Sequence, residues 1–163
     1  MIEGLHPMAA RIAERLKARG ESVAVAEGAT GGLMSAALLT VPGATAFYVG
    51  GGVVYSVRSR RVLFGLGPGA FRGQQSVTES YALLQARGIR DNFSAAWGIA
   101  ESGSSGGSVH PGGVPSGASV AAVAGPGVEL TLRTETGSGD RVANMAAFAA
   151  AALGLLEQAL AQA

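Results

Sequence analysis

Along the chain, apolar positions follow two periods, one near four residues and one giving short continuous runs. In "PMAARIAERLKAR" (7–19), Met8, Ile12 and Leu16 fall on one face with charges opposite. This pattern predicts an amphipathic helix with Pro7 near its start and Gly20 as its stop. Residues 22–26 read as a buried strand, and 31–40 as a helix ended by Pro42-Gly43. A strand with a glycine-rich entry is predicted over 49–56, then a short helix over 58–64. Ser76 or Thr78 can cap a helix over 78–91, with Glu79 placed to meet its dipole. "SAAWGIA" (94–100) reads as a central strand, followed by the aperiodic stretch "ESGSSGGSVHPGGVPSG", a long loop of the kind that is usually functional. Residues 118–124 and 128–135 form a predicted hairpin around Gly125-Pro126-Gly127. Ser138 can cap an alanine-rich final helix over 139–160, with a fraying tail after Gln158. The order α-β-α-β-α-α-β-β-β-α predicts a three-layer α/β/α sandwich with a mixed sheet, in one domain over residues 1–163.

Composition sharpens this picture. Apolar residues are 48% and charged residues 14%, which favours a packed core over disorder. A net charge of +1 supplies no basic field for nucleic acid, so no nucleic-acid partner is expected. Arg58, Arg60 and Arg61 read as a solvated helix start, with an anion site as the other reading. With no cysteine, disulfides, thiolate catalysis and cysteine-ligated zinc are excluded, which fits a cytoplasmic protein. His6 and His110 lack metal-ligand spacing and read as surface residues, so neither a metal nor a cofactor is expected. The N-terminus lacks an apolar signal core, and the longest apolar run, Met145 to Leu156, is too short for a bilayer. A soluble protein with no membrane partner is the expectation.

The stretch "VAVAEGATGGLMSAAL" (23–38) joins a strand to a helix through a small turn. Such a corner suits a ligand anion or a catalytic side chain. Its tip, Gly28-Ala29, carries neither a nucleophile nor a proton acceptor.

An ordered set of motifs gives this corner a context: "AEGATGG" (26–32), "VPGAT" (41–45), "GGVVYSVRSR" (51–60), "LFGL" (63–66), "QSVTE" (75–79), "WGIAESGSSGG" (97–107), "PSGAS" (115–119) and "GDR" (139–141). In order and spacing this set resembles the CinA C-terminal domain family, the PncC-type nicotinamide mononucleotide (NMN) deamidases, over about residues 8–158, apart from an insertion in the 101–115 loop. The resemblance implies a three-layer α/β domain, usually a cytoplasmic homo-oligomer. It also implies hydrolysis of the NMN carboxamide to nicotinic acid mononucleotide and ammonia. The implied chemistry uses a serine helped by tyrosine and lysine, with positive groups holding the phosphate.

Against the family pattern, the signature serine falls on Gly28, its cysteine on Ala29, and a second serine on Thr45. The tyrosine is kept as Tyr55 and an arginine as Arg141, but the lysine becomes Arg60 and a neighbouring asparagine Val57. A threonine becomes Trp97, a glycine-proline pair becomes Glu101-Ser102, a lysine becomes Val114, and a further arginine becomes Met145. Removing a serine nucleophile costs on the order of 10⁶ in kcat in a serine hydrolase. Arginine stays charged where lysine can act as a base, so Arg60 suits binding better than proton transfer. Thr30 reads as a helix cap, Thr45 as a turn hydroxyl, Ser56 as a strand end, and Tyr55 as a core aromatic with its hydroxyl tied up. Trp97 is large enough to fill part of the pocket. Glu101 would repel a phosphate unless Arg60 or Arg141 neutralises it, and Arg141 could equally pair with Asp140 or Glu101. No histidine is placed to help.

Three readings follow. The leading one is a CinA-like domain that has lost NMN hydrolysis and keeps a nucleotide or small-ligand pocket, with Gly28, Thr30, Gly31, Arg60, Glu101, Ser102 and Arg141 as its ligand-binding candidates. The second is an amidohydrolase that still works through a site rearranged around Tyr55, Thr45 and Arg60. The third is a structural or regulatory oligomer partner without a ligand.

Overall fold

The computed structural model describes residues 1–66 and 69–163. Five strands form one mixed sheet in the order β2-β1-β3-β4-β5: β1 Val23–Glu27, β2 Tyr48–Val53, β3 Trp97–Ser104, β4 Ala118–Gly125 and β5 Val128–Glu135. β1 runs parallel to both β2 and β3, whereas β3–β4 and β4–β5 pair antiparallel. The helices are α1 Ile2–Arg19, α2 Leu33–Leu39, α3 Val57–Leu63, α4 Glu79–Asn92 and α5 Arg141–Gln162, with a 3₁₀ turn at Ala44–Ala46.

Alternation along β1 and β3 assigns the two faces of the sheet. Val23, Val25, Trp97 and Ile99 pack with Ile12, Leu16, Leu38, Leu153 and Leu156 of α1, α2 and α5. Ala24, Ala26 and Ala100 face the other way, onto Ala82, Ala86 and Ile89 of α4. The sheet therefore lies between two helical layers, as the alternation of elements predicts. Alanine and glycine on the α4 side let that helix sit close: a Cβ at Gly98 would collide with the Ala86 carbonyl.

Several boundaries differ from the sequence expectations. α1 begins at Ile2, so Pro7 lies inside the helix instead of at its start. α5 is capped by Asp140, whose side chain accepts from the Ala143 amide at 3.0 Å, and not by Ser138. It runs to Gln162 without fraying early, held by the buried Leu160 and by Arg19 donating to the Leu160 carbonyl. At 22 residues α5 is long and apolar enough, by length and composition, to cross a membrane, contrary to the shorter run read from the sequence. In the fold its Phe148, Leu153, Leu156 and Leu160 are buried in the core instead. Replacing Asp140 with alanine removes the cap and is expected to cost about 1 kcal/mol in urea unfolding.

β3 begins three residues later than predicted and continues through Glu101–Ser104. The delay follows from the end of α4, where Phe93 caps the helix and Ser94 turns the chain at φ 51°. The extension follows from pairing: Glu101, Ser102 and Ser104 lie opposite Ala121, Val120 and Ala118 of β4. Glu101 and Ser102 thus stand on a buried strand, not in a loop.

Candidate functional site

The C-terminal ends of β1 and β3 meet at the turn 28–32, and β2 delivers Val54 and Tyr55 beside it. Two buried carboxylates organise this corner. Glu27, the last residue of β1, accepts from the Thr30 hydroxyl (2.8 Å) and the amides of Gly32 (3.2 Å), Met34 (2.8 Å) and Ser35 (2.9 Å). It caps α2, whose own N-cap residue, Gly32, has no side chain to do so. Thr30 is therefore not the cap; its hydroxyl donates to Glu27.

Glu101 reaches the same turn from β3 and is fully buried. Its Oε2 accepts from the amides of Gly28 (3.2 Å) and Thr30 (3.0 Å), and its Oε1 from the Ser119 hydroxyl (2.7 Å). Burial pushes its carboxyl above the usual carboxylate range, partly offset by the Ser119, Thr30 and Gly28 hydrogen bonds. Glu101 pairs with neither Arg60 nor Arg141 among the described residues; its carboxyl oxygens accept from the turn amides and Ser119 instead. The two turn amides that would face an incoming anion are already taken by this side chain.

A cleft of about 380 Å³ opens on the corner, bordered by Gly28, Tyr55, Arg60, Glu101, Ser102 and His110. Five of the sequence-predicted site residues thus come together. Tyr55 is 66% exposed, not a core aromatic, and its hydroxyl has no hydrogen-bond partner among the described residues. Ser56, expected as a strand end, caps α3 in a reciprocal arrangement with Ser59. Ser102 accepts from the Val77 amide at 3.0 Å, and Val77 holds a left-handed φ of 59° to make that contact. At Gly28, an added Cβ would lie 3.0 Å from the Glu101 carbonyl oxygen, so a serine there requires β3 to give by a few tenths of an ångström.

Of the remaining candidates, Arg141 borders a smaller recess of about 190 Å³ that shares Ala29, Tyr55 and His110 with this cleft, and the others lie elsewhere. Thr45 is exposed in the 3₁₀ turn before β2, at the opposite end of that strand from Tyr55, so a site joining Thr45, Tyr55 and Arg60 does not form within this chain. Trp97 opens β3 at the same far end; it is fully buried, donates to Glu21 at 2.6 Å and does not fill the cleft. Gly31 holds a left-handed φ of 63°, and a Cβ there would lie 2.9 Å from Met145 Cε, the movable end of that side chain. Arg141 pairs with neither Asp140 nor Glu101; it donates to the Gly106 carbonyl at 2.6 Å and, with Asn144 bonded to the Ser105 carbonyl, pins the base of the loop after β3.

His110 is the residue that sequence reasoning missed. It is half-buried on the cleft wall, with Nδ1 accepting from the Gly112 amide at 3.0 Å. Burial, helped by the positive charge of Arg60, lowers its pKa, so the imidazole is neutral at physiological pH. Its position inside a glycine-rich loop gave no periodic signal. Among the described residues no group of histidine and acidic side chains could hold a metal ion.

The CinA C-terminal domain model matches residues 5–160. A CinA-like protein of Anaeromyxobacter sp. (strain K) is 37% identical over 159 residues, covering 97% of this chain and 38% of that protein. A CinA-like protein of Myxococcus xanthus is 34% identical over 137 residues, covering 82% of this chain and 32% of that protein. The chain therefore spans about a third of the length of these relatives. Among solved structures, a CinA superfamily protein from Klebsiella pneumoniae 700603 superposes with a TM-score of 0.88 at 30% identity, covering 98% of this chain and 99% of that one. The competence/damage inducible protein CihA from Agrobacterium tumefaciens gives a TM-score of 0.86 at 26% identity, covering 96% and 95%. With the motif order, the sheet topology and these matches in agreement, the chain belongs to the CinA C-terminal domain family.

Proposed function

We propose that this domain binds a small nucleotide-type ligand in the cleft and has lost the hydrolysis of NMN to nicotinic acid mononucleotide and ammonia. One observation carries the reading. At the corner where the family resemblance puts a serine, Gly28 supplies no nucleophile, and the amides of Gly28 and Thr30 are occupied by the Glu101 carboxyl. Transition-state stabilisation of amide hydrolysis needs free donors aimed at the developing oxyanion. A buried side chain in that place removes them. Arg60 is the cation that borders the cleft beside Tyr55, and it favours ligand binding over proton transfer. The resemblance further supports a single cytoplasmic domain assembling as a homo-oligomer.

A second reading, surviving amidohydrolase activity, is favoured by His110 bordering the same cleft as Ser102. There the imidazole would act as base toward the serine hydroxyl. Ammonia release from NMN separates the two. The natural protein is expected to release none, and Ser102→Ala and His110→Ala are expected to change nothing in that assay. Ammonia release that either substitution abolishes would establish the second reading. A purely structural or regulatory oligomer predicts no ligand binding, with Arg60→Ala silent in every titration.

A further inference from the structure

The connection from β3 to β4 is held at its stem and free at its tip. At the stem, Gly117 donates its amide to the Ser104 carbonyl at 2.8 Å, and Asn144 and Arg141 donate to the carbonyls of Ser105 and Gly106. Val114 packs against the core on the α4 side. Between these ties, residues 107–113 hydrogen-bond only to one another among the described residues. The Gly113 amide donates to the His110 carbonyl at 2.9 Å, and the Gly112 amide to His110 Nδ1 at 3.0 Å, closing a turn that Pro111 presets. Gly107 (φ 80°) and Gly113 (φ 72°) bracket this turn in the left-handed region, and nothing stands within 4 Å of where their Cβ atoms would be, so both are free to act as hinges.

The tip forms one wall of the recess beside Arg141, and its His110 and Pro111 also border the cleft. Val109, at the apex, is 92% exposed and holds nothing down. The charged and titratable groups around the imidazole are Arg60 from α3, Tyr55 after β2, Glu101 from β3 and Arg141 from α5, while α4 contributes the neutral Gln85. Glu101 is already engaged by the turn amides and Ser119, so no free carboxylate waits to pair with an imidazolium.

We propose that residues 107–113 are a pH-operated lid on the cleft, closed while His110 is neutral and released when it is protonated. Two effects act in the same direction. Nδ1 accepts from the Gly112 amide, so a proton there sets donor against donor and breaks the turn. The resulting cation also shares the cleft wall with Arg60. Burial, and then the Arg60 charge, hold the imidazole pKa below its ordinary 6.5 in the closed position, whereas a released tip returns it toward that value. As pH falls through about 6.5, the open form takes the proton first. Each further pH unit then shifts the population toward it by up to about tenfold, until the closed form protonates as well. The lid does not rest on the ligand proposed above.

The chain has no cysteine, so spin labels on Val109→Cys and Val62→Cys report the distance from the tip to α3, both positions being exposed. Double electron–electron resonance without ligand at about pH 8 and about pH 5 is the test. A longer-distance population is expected to grow at least about fivefold at the lower pH. His110→Gln, which cannot take up a proton, is expected to give one distribution at both. A reference pair on Val62→Cys and Val142→Cys, the latter on the exposed face of α5, is expected not to move. An unchanged tip distance with His110 present, an equal shift with His110→Gln, or an equal shift in the reference pair would overturn the lid. Ammonia release from NMN would refute the loss of hydrolysis without touching this result.

Discussion

Glu27→Ala is expected to lower the unfolding free energy by about 3–5 kcal/mol and the midpoint temperature by roughly 10 °C. The size follows from the number of donors that one carboxylate satisfies. The Thr30 hydroxyl and the amides of Gly32, Met34 and Ser35 all end on it, and α2 has no other cap. Each buried donor left without a partner costs about 1–3 kcal/mol, with water recovering part of that at the half-buried Gly32 and Ser35. Glu27→Gln is expected to recover only part of the loss. Its amide nitrogen cannot accept the hydrogen bond that one carboxylate oxygen takes. Urea unfolding of the three proteins measures the differences. Equal midpoints for natural and alanine proteins would mean that the corner is not held by Glu27.

Glu101 gives the second large effect, and its sign depends on pH. Glu101→Ala strands the Gly28 and Thr30 amides and leaves the Ser119 hydroxyl only the Ser102 carbonyl at 3.3 Å, and is expected to cost about 2–4 kcal/mol. Glu101→Gln keeps an acceptor for the two amides and can donate to Ser119, so it preserves the network without a charge. Burial holds the folded carboxyl above its ordinary value of 4.5. As pH rises past that value, the unfolded chain gives up the proton first while the folded chain retains it. Stability therefore falls with rising pH until the folded group also ionises. The natural protein should lose stability from about pH 4.5 upward, relative to Glu101→Gln, which lacks this group's titration. Thermal unfolding of both proteins across pH reads the difference directly. A gap between them that does not widen with pH would show that Glu101 is ionised in the fold at no cost.

The layered fold was legible because its helices and strands carry strong local patterns. Met8, Ile12 and Leu16 mark the buried face of α1, with Met8 only half-buried, and Thr78 caps α4 as one of the two proposed residues. The continuous run of β1 is buried on both faces, as a central strand requires. What escaped the sequence reading depended on distant partners. "ESGS" has the composition of a loop, yet it completes β3 because β4 pairs with it and the 28–30 turn satisfies Glu101. Trp97 and Thr45 match motifs that adjoin the site in sequence, but strand direction carries both to the far end of the sheet. Arg141 anchors the loop after β3 and borders the recess beside Tyr55 and His110. Gly28, Tyr55 and Ser102 were legible as neighbours because each lies at or just beyond the C-terminal part of its strand, and Arg60 because it sits on α3, the helix that follows β2. His110 was not, because it sits in an aperiodic glycine-rich loop.

The most direct test of the lost hydrolysis is a calorimetric titration of the purified protein with NMN, with ammonia measured in the same cell. A saturable binding heat with no ammonia is the predicted result. Sustained heat with ammonia released in proportion to NMN consumed would contradict it.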